Sequence, residues 1–397
     1  MINTGLSATE QQIDFNKIVP YFQPIIAADQ LQVWGYEVLG RIHTDAGVQS
    51  LGAFFHDPSI DPALQREADR HIRESALQKF ADEQAESHLF INVNPDWLCM
   101  DWQEGEKNWM VRHGLKPEQL VLEVTEAAFE MKEKEMHRML RYYKELGCKI
   151  AIDDVGKGFS NLDRIASFQP DIIKVDIHLL KNSTQSQSFM DVLHSLSVLS
   201  RRMGVSLLFE GMEREEEWRN AWKSSGRFYQ GYLFSRPGPD FNQISAPVAE
   251  KINGLIDRLV EEELKDWNRQ FQLEEQLNQT MHRLLHVSPY MTDPAVFLTE
   301  QAPAIKEYGY RVYVCDEKGN QTTPNYLLTN GLWEKQDEYR GRNWSWRPYF
   351  LQNIAKMKSD KKGILSEPYQ DLETAARIRT FSYPLACGYV FLDLLLP

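Results

Sequence analysis

Between residues 20 and 237, short apolar runs recur along the chain, and each ends at a polar or acidic residue before an amphipathic stretch begins. Runs of about five to eight residues rich in Val, Ile, Leu and Phe are typical of strands buried on both faces. They lie at residues 31–38, 88–93, 120–124, 149–153, 171–175, 206–210 and 227–234. The pattern therefore predicts at least seven buried strands.

The stretches between these runs carry the signals of helices. Asp61 and Pro62 form an N-cap and a first-turn proline for a helix that reaches about residue 84. Further helices are expected over 129–146, 187–203 and 213–224. Alternating strands and helices predict a parallel sheet. Seven or eight such units favour a closed, TIM-like (β/α) barrel, and an open doubly wound sheet is the alternative.

The pattern changes after Asp240. Apolar residues recur at spacings of mostly three or four from Ile252 to Leu284, and Trp267 and Phe271 belong to this series. This predicts one long amphipathic helix, or two helices with a weak point at Gly254. Two interpretations stay open: the helix packs on its own domain, or it connects two domains and packs against a second subunit.

The last hundred residues alternate like strands of an antiparallel sheet, with a covering helix near residues 347–357. We therefore expect three parts along the chain. They are a barrel at 1–245, a linking helix at 246–288 and an α+β domain at 289–397.

Charge and cysteine content narrow the class of protein. The formal net charge of −13 argues against binding of long nucleic acid without specificity. No apolar run reaches the ~18–20 residues of a membrane span, and the N-terminus lacks the pattern of a secretory signal. The four cysteines form no CxxC pair and are too few for disulfide bonds to stabilise a chain of 397 residues. We expect buried thiols and a cytoplasmic location.

The polar residues at the strand ends carry the chemical information. Because the carboxyl ends of barrel strands meet on one face, these side chains should lie together. Four carboxylates in one place repel one another unless a cation neutralises them. Oxygen donors without His or Cys favour Mg²⁺ or Mn²⁺, with Ca²⁺ able to bind. The residues concerned are Glu37, Asn92, Glu123, Asp153, Lys174, Glu210 and Gln230.

Asp153 and Asp154 are adjacent, so a shared Asp153 could hold two ions a few ångströms apart. Two metals suit in-line attack of water on a phosphodiester. Lys174 would supply a positive group on the same rim. Taken alone, each of these residues is better explained as a solvated strand-end side chain, and only their common register favours the metal site.

Eight motifs occur in one order and spacing. They are YFQPI (21–25), EVLGR (37–41), NVNP (92–95), EVTE (123–126), DDVGKGFS (153–160), KVD (174–176), EGME (210–213) and QGYLFSRP (230–237). Over roughly residues 10–245 the chain resembles the EAL-domain family of cyclic di-GMP phosphodiesterases. The resemblance implies a TIM-like barrel with one irregular strand direction, dimers formed through barrel helices, and two-metal-assisted hydrolysis of cyclic di-GMP to linear pGpG.

The resemblance also implies residue roles. Glu37, Asn92, Glu123 and Asp153 resemble the ligands of a first metal, and Asp153 and Asp154 resemble those of a second. Lys174 resembles the lysine that positions the attacking water, with Glu210 beside it, and Glu213 resembles the glutamate that holds the loop after Asp154. The residues expected to contact the dinucleotide are Gln23, Leu39, Arg41, Gln230 and Pro237.

Lys157 departs from the family pattern, because a threonine is usual at its position. It adds a positive charge close to the second metal site. Two functions therefore stay open: a phosphodiesterase of weak or conditional activity, or a cyclic di-GMP receptor with little or no turnover. A glycosidase, which also pairs carboxylates on a barrel, is disfavoured by the eight motifs.

The C-terminal domain carries short aromatic motifs that resemble a PAS/Cache-type sensor. Trp344, Trp346 and Tyr349 would line a small-ligand pocket together with Arg347 and Asp371, and core packing of the aromatic residues is the alternative. We expect this domain to regulate the barrel through an unknown small ligand or protein partner, in a homodimer.

Overall fold

The computed structural model describes residues 14–83, 86–103, 113–125, 133–156, 162–287, 293–347 and 350–396. The chain forms two compact units, Met1–Leu259 and Val260–Pro397. The boundary between the units falls inside the predicted linking helix.

Within its described residues, the first unit contains nine strands and eight α-helices, besides the first part of the linking helix. The strands are β1 (Ile18–Ala27), β2 (Val33–Thr44), β3 (Gly47–Ser50), β4 (His88–Asn92), β5 (Leu120–Thr125), β6 (Lys149–Val155), β7 (Ile172–Val175), β8 (Ser206–Phe209) and β9 (Phe228–Tyr229). The helices are α1 (Gly52–His56), α2 (Pro62–Asp82), α3 (Pro95–Gln103), α4 (Glu133–Leu146), α5 (Leu162–Phe168), α6 (Ile177–Ser183), α7 (Gln187–Met203) and α8 (Glu215–Lys223).

Eight of these strands close into a barrel in the order β1-β9-β8-β7-β6-β5-β4-β2, and pairing of β1 with β2 completes the ring. β1 is antiparallel to both of its neighbours, whereas the strands from β2 through β4 to β9 pair in parallel. The closed (β/α) barrel and the single reversed strand are therefore confirmed.

Two features of the barrel differ from the sequence pattern. β1 was not among the predicted runs, because Pro20 and Pro24 within it argue against a strand. The predicted run 227–234 is a strand only over Phe228–Tyr229. Beyond it the chain turns to hydrogen-bond the backbone of Met212, and a side chain on Gly231 would collide with that backbone.

The linking segment is one helix, α9 (Ala246–Val287), and Gly254 does not interrupt it. Ile252, Leu255 and Leu259 are buried in the core of the first unit, and Leu277 and Met281 in the core of the second. Trp267 and Phe271 are exposed instead. The apolar positions thus do not form one continuous buried stripe.

The second unit is an antiparallel sheet with helices. Its helices are α10 (Pro294–Ile305) and α11 (Phe350–Asp360). Its strands are β10 (Arg311–Cys315), β11 (Asn325–Thr329), β12 (Leu332–Gln336), β13 (Ile364–Leu365), β14 (Tyr369–Gln370), β15 (Arg377–Leu385) and β16 (Gly388–Leu395). The strand order is β12-β11-β10-β16-β15-β13, and β14 pairs with β15.

All four cysteines are free thiols. Cys99, Cys148 and Cys315 are buried as expected, but Cys387, in the turn before β16, is only partly buried. Among the helices of the described ranges, none combines the length and the apolar character needed to cross a membrane.

Candidate functional site

The barrel interior has an apolar layer with a polar layer directly beyond it. The apolar layer comprises Ile25, Ala27, Phe90, Val121, Ala151, Ile172, Leu208 and Phe228. Two residues further along six parallel strands or their ends lie Asn92, Glu123, Asp153, Lys174, Glu210 and Gln230. On the reversed β1, Gln23 precedes Ile25 by the same step. Since alternate residues of a strand face the same side, these polar side chains share the barrel interior.

Lys174 lies at the centre of the polar layer and is fully buried, with an exposed fraction of 0%. Its Nζ lies 2.9 Å from Glu123 Oε1, 3.2 Å from Asp153 Oδ1, 3.3 Å from Glu210 Oε2 and 3.5 Å from Glu37 Oε1. One ammonium group thus holds four carboxylates from four different strands or strand ends. Its single positive charge cannot offset their combined negative charge.

The protonation of the cluster follows from burial and from this charge imbalance. Burial, and secondarily the neighbouring carboxylates, raise the pKa of Glu123 well above its usual range and that of Glu210 to about 8. Burial alone would lower the pKa of Lys174, but the four carboxylates raise it well above its usual value. Lys174 therefore stays protonated. Its one positive charge neutralises only part of the negative charge of the four carboxylates.

An amide network fixes Glu37 from the other side. Gln230 Nε2 donates to Glu37 Oε2 at 2.6 Å and lies 3.3 Å from Gln23 Oε1. Asn92 Nδ2 lies 3.4 Å from Glu37 Oε1. The structure therefore brings together two amides expected to bind dinucleotide, Gln23 and Gln230, and two expected metal ligands, Glu37 and Asn92.

The donor set fits divalent cations. Carboxylate oxygens of Asp153, Asp154 and Glu210 lie within 4.8 Å of one another. Glu123, 1% exposed, receives no well-directed hydrogen bond from the described residues at either oxygen. The oxygen donors here suit the hard ions Mg²⁺, Mn²⁺ and Ca²⁺. They are five carboxylates and the Asn92 amide, and four of the carboxylates contact the Lys174 ammonium. Glu210 joins this group geometrically, although the resemblance assigns it to the attacking water.

The backbone at Asp154 is held in an unusual conformation. Its φ of 62° is left-handed, which costs a non-glycine residue roughly 1–2 kcal/mol. The Asp154 N–H donates to Asp153 Oδ1 at 2.8 Å, so the two acidic side chains leave the end of β6 in a fixed relation. Strain of this kind is typical of functional sites.

A cavity of about 530 Å³ lies beside the acidic cluster. Leu39, Arg41 and Asn92 line it, as do Trp97 and Thr125. A volume of this size is ordinary for a pocket that takes a small ligand. Arg41 Nη1 donates to Gly40 O at 2.9 Å and lies 3.4 Å from Ser50 Oγ, which orients its guanidinium at the cavity.

Most residues that line the cavity were not predicted from the sequence, and two of them form a charged pair. Asp69 and Arg73 on α2 also line the cavity, and the pair lies 3.7 Å apart. Arg73 is held further by Asp101 at 3.0 Å. Burial raises the pKa of Asp69 to about 6. Opposite charges four residues apart on a helix were the available signal, but that spacing is ordinary on solvated helices.

Three further residues named by the sequence analysis are Glu213, Pro237 and Lys157. The Glu213 carboxylate is half-exposed and lies 3.9 Å from Lys181 Nζ. Pro237 is next to Gly238, whose backbone exchanges hydrogen bonds with Phe22 of β1. Lys157 lies outside the described residues, so its expected effect on the second metal stays a prediction.

The residues expected to line a pocket in the second unit have partners within that unit. Arg347 stacks on Trp344, with 4.4 Å from its guanidinium carbon to the ring centre, and Trp346 is exposed. Both oxygens of Asp371 accept from Arg311 at 3.0 Å. Tyr349 lies outside the described residues. The ligand of this unit therefore stays a prediction.

Comparison with known proteins agrees with the barrel fold. The EAL domain family model matches residues 7–237, and a model described as an EAL-domain associated signalling protein domain matches residues 245–396. YkuI of Bacillus subtilis, an uncharacterized EAL-domain containing protein, is 37% identical over 388 residues, which cover 96% of this chain and 95% of YkuI.

Solved structures agree as well. The crystal structure of YkuI in complex with substrate c-di-GMP and calcium covers 98% of this chain and 99% of its own, with 35% identity and a TM-score of 0.91. Klebsiella pneumoniae BlrP1, in a manganese and cyclic di-GMP complex, shares 27% identity over 59% of each chain, with a TM-score of 0.52. With its closed barrel, its acidic strand ends and these matches, the chain belongs to the EAL-domain family.

Proposed function

We propose that this chain binds cyclic di-GMP in its barrel and hydrolyses one phosphodiester bond, which yields linear pGpG. The observation that carries this proposal is the buried Lys174 among four carboxylates, beside a cavity that Arg41 lines. YkuI and BlrP1 support it, because each has been solved with this dinucleotide and a divalent ion. We place the activity in the cytoplasm, where free thiols persist.

The residues divide into four roles in this proposal. Glu37, Asn92, Glu123 and Asp153 would hold one Mg²⁺ or Mn²⁺, and Asp153 and Asp154 a second. When bound, such ions lower the pKa of a coordinated water and neutralise charge at a phosphodiester. Lys174, as donor, and Glu210, as acceptor, orient the attacking water. The dinucleotide contacts are Gln23, Leu39, Arg41, Gln230 and Pro237, and Glu213 supports the loop after Asp154.

The test is an assay of the purified chain with cyclic di-GMP and Mn²⁺, then Mg²⁺, with separation of the products by chromatography. We expect pGpG from the parent and none from Asp153→Asn. Asp191→Asn, a matched change on the exposed face of α7, should keep the parent's rate. Absence of pGpG with both ions, at full occupancy by dinucleotide, would contradict the catalytic proposal and leave the receptor function.

Arg41 should contribute directly to binding of the dinucleotide. Its planar, two-pronged donor face suits a phosphate, and loss of a charged hydrogen bond costs roughly 1.5–3 kcal/mol. We expect Arg41→Ala to weaken binding about tenfold or more in calorimetry. Arg269→Ala, which removes an exposed arginine from α9, is the control. Equal affinity in Arg41→Ala would remove Arg41 from the binding site.

The receptor function is the second candidate, and Lys157 is the observation that favours it. Like charges at about 4 Å repel by about 1 kcal/mol even in water, so a lysine three residues after Asp154 can disfavour the second ion. Lys157→Thr is therefore expected to raise the hydrolysis rate and lower the Mn²⁺ concentration required, with little change in dinucleotide affinity. If both rate and metal requirement stay unchanged, Lys157 has no part in setting turnover.

We also propose that the C-terminal unit regulates the barrel through α9. The first half of this helix packs on the barrel, and its Lys251 lies 2.9 Å from Glu215, the first residue of α8. α8 begins five residues after Glu210. A proline inside a helix costs ~3 kcal/mol and breaks it. Asp266→Pro should therefore change the hydrolysis rate severalfold relative to Asp266→Ala, and equal rates would argue against control through α9.

A further inference from the structure

Two histidines lie on one exposed face near the C-terminal end of α9. His282 and His286 are four residues apart, so they are neighbours on the helix surface. Their Nε2 atoms lie 3.2 Å apart. The ring centres are 4.3 Å apart, and the rings meet edge to face at 71°. Two nitrogen donors from separate side chains therefore lie at the same place beside the helix.

The helix is firmly held where it carries this pair. Leu277 and Met281 are buried in the core of the second unit. Asn278 exchanges hydrogen bonds with the backbone of Gly363, which precedes β13. The two histidines are thus mounted on a fixed turn of helix with their rings in solvent, and a ligand can reach them after side-chain rotation alone.

We propose that His282 and His286 bind one transition-metal ion of borderline softness, such as Zn²⁺ or Ni²⁺, as a site separate from that for hard ions in the barrel. Zinc–histidine bonds are about 2.0–2.1 Å long, so two nitrogens 3.2 Å apart subtend an angle of about 100° at a shared ion. This angle lies between the roughly 90° of octahedral and the roughly 109° of tetrahedral coordination. The pair therefore already has the spacing of a two-point ligand.

Coordination through both Nε2 atoms requires each ring to carry its proton on Nδ1. In a neutral imidazole one nitrogen donates and the other accepts, and the proton can sit on either. In the structure the two Nε2 atoms face each other as donor and acceptor of one hydrogen bond. Transfer of that proton to Nδ1 of its own exposed ring, where water accepts from it, leaves both Nε2 lone pairs for one ion.

The surroundings of the pair indicate an open, exchangeable site. Among the described residues, the three-membered group of His, Cys or acidic ligands is that of the barrel, so no third such side chain of this part of the chain joins the two histidines. Gln279, one turn earlier, is engaged with Glu275, to which it donates at 3.1 Å. Closed structural zinc sites use four protein ligands. With two, the remaining positions are left to water, and we expect binding in the micromolar range.

The first test is calorimetric titration of the full chain, prepared without an affinity tag, with Zn²⁺ in a large excess of Mg²⁺ that occupies the barrel. His282→Gln and His286→Gln should each weaken one Zn²⁺ binding event about a hundredfold, because a single imidazole loses the advantage of two linked ligands. His194→Gln, a change of an exposed histidine on α7, should leave it unchanged. Equal Zn²⁺ binding by the parent and both α9 variants overturns the proposal.

The second test moves the partner histidine along the helix. In the His286→Gln background, Gln279→His places a histidine three residues before His282, on the same face, and should restore Zn²⁺ binding. Gln276→His, the same change six residues before His282 and on a different face, should not. Restoration by both changes, or by neither, would show that helical spacing does not set the affinity and would overturn the proposal.

The third test addresses the class of metal. Ni²⁺ should compete with Zn²⁺ for the parent, whereas Mn²⁺ at the same concentration should not, because imidazole favours the later ions of the series. Zn²⁺ should also raise the unfolding temperature of the parent more than that of His282→Gln, since the folded helix creates the site. Competition by Mn²⁺ equal to that by Ni²⁺, or equal stabilisation of the two proteins, overturns the proposal. No readout involves cyclic di-GMP, so failure here is distinguishable from failure of the proposed hydrolysis.

Discussion

Replacement of Lys174 by methionine is expected to lower the hydrolysis rate by about 10²–10⁴-fold, the usual loss when a positioned proton-transfer group is removed. Methionine keeps most of the volume of the lysine, so the apolar layer below it stays packed. The buried ammonium contacts four carboxylates at 2.9–3.5 Å, and without it their charges are uncompensated. Breaking such a buried charge cluster costs about 3–5 kcal/mol.

The stability effect gives this prediction a second measurement. In a chelator, Lys174→Met should unfold at a clearly lower temperature than the parent, and Mn²⁺ should restore much of the difference, because a cation replaces the missing charge. Lys181→Met, which removes an exposed lysine 3.9 Å from Glu213, is the matched control. A Lys174→Met variant with the parent's rate, or with equal stability in the chelator, would contradict the central role of this lysine.

Arg311→Met is expected to destabilise the second unit by about 3–5 kcal/mol. Arg311 is buried. Its Nε donates to Asp393 at 2.6 Å, and its Nη1 and Nη2 donate to the two carboxylate oxygens of Asp371 at 3.0 Å. Asp393 in turn accepts from Thr380 at 2.6 Å. Without the guanidinium, two buried carboxylates remain without their cation. Calorimetry of the whole chain should show that the second unit unfolds at a lower temperature, whereas the unfolding temperature of the barrel is unchanged.

The pH dependence of this variant has a definite sign. Burial raises the pKa of Asp393, and Arg311 opposes that rise. Loss of the arginine therefore raises this pKa further above its unfolded value, so the penalty is largest at neutral pH and shrinks as Asp393 takes up a proton in acid. Arg342→Met breaks an exposed pair with Glu373, worth about 0–1 kcal/mol, and is the control. Equal shifts for the two variants would contradict a structural role for Arg311.

Much of the barrel site was predictable because the relevant rule is local. Two-residue alternation places Glu123 beyond Val121 and Lys174 beyond Ile172 on the same strand face, whatever the neighbouring strands are. The rule did not reveal that β1 is a strand, because Pro20 and Pro24 within it argue against one. It also failed to show that Asp69 and Arg73 line the cavity, since nothing in their helix distinguishes them from solvated neighbours.

The sequence by itself determined which side chains face the barrel interior and that their donors are oxygen atoms, because both follow from residue type and strand period. Tertiary structure decided how these groups combine. Gln230 bonds Glu37 and Gln23 across 193 and 207 residues, and only closure of the ring by β1 brings them together. It also decided that Trp267 is exposed while Leu277, on the same helix, is buried. The apolar period of α9 is the same at both residues, and burial depends on which surface meets the helix at each turn.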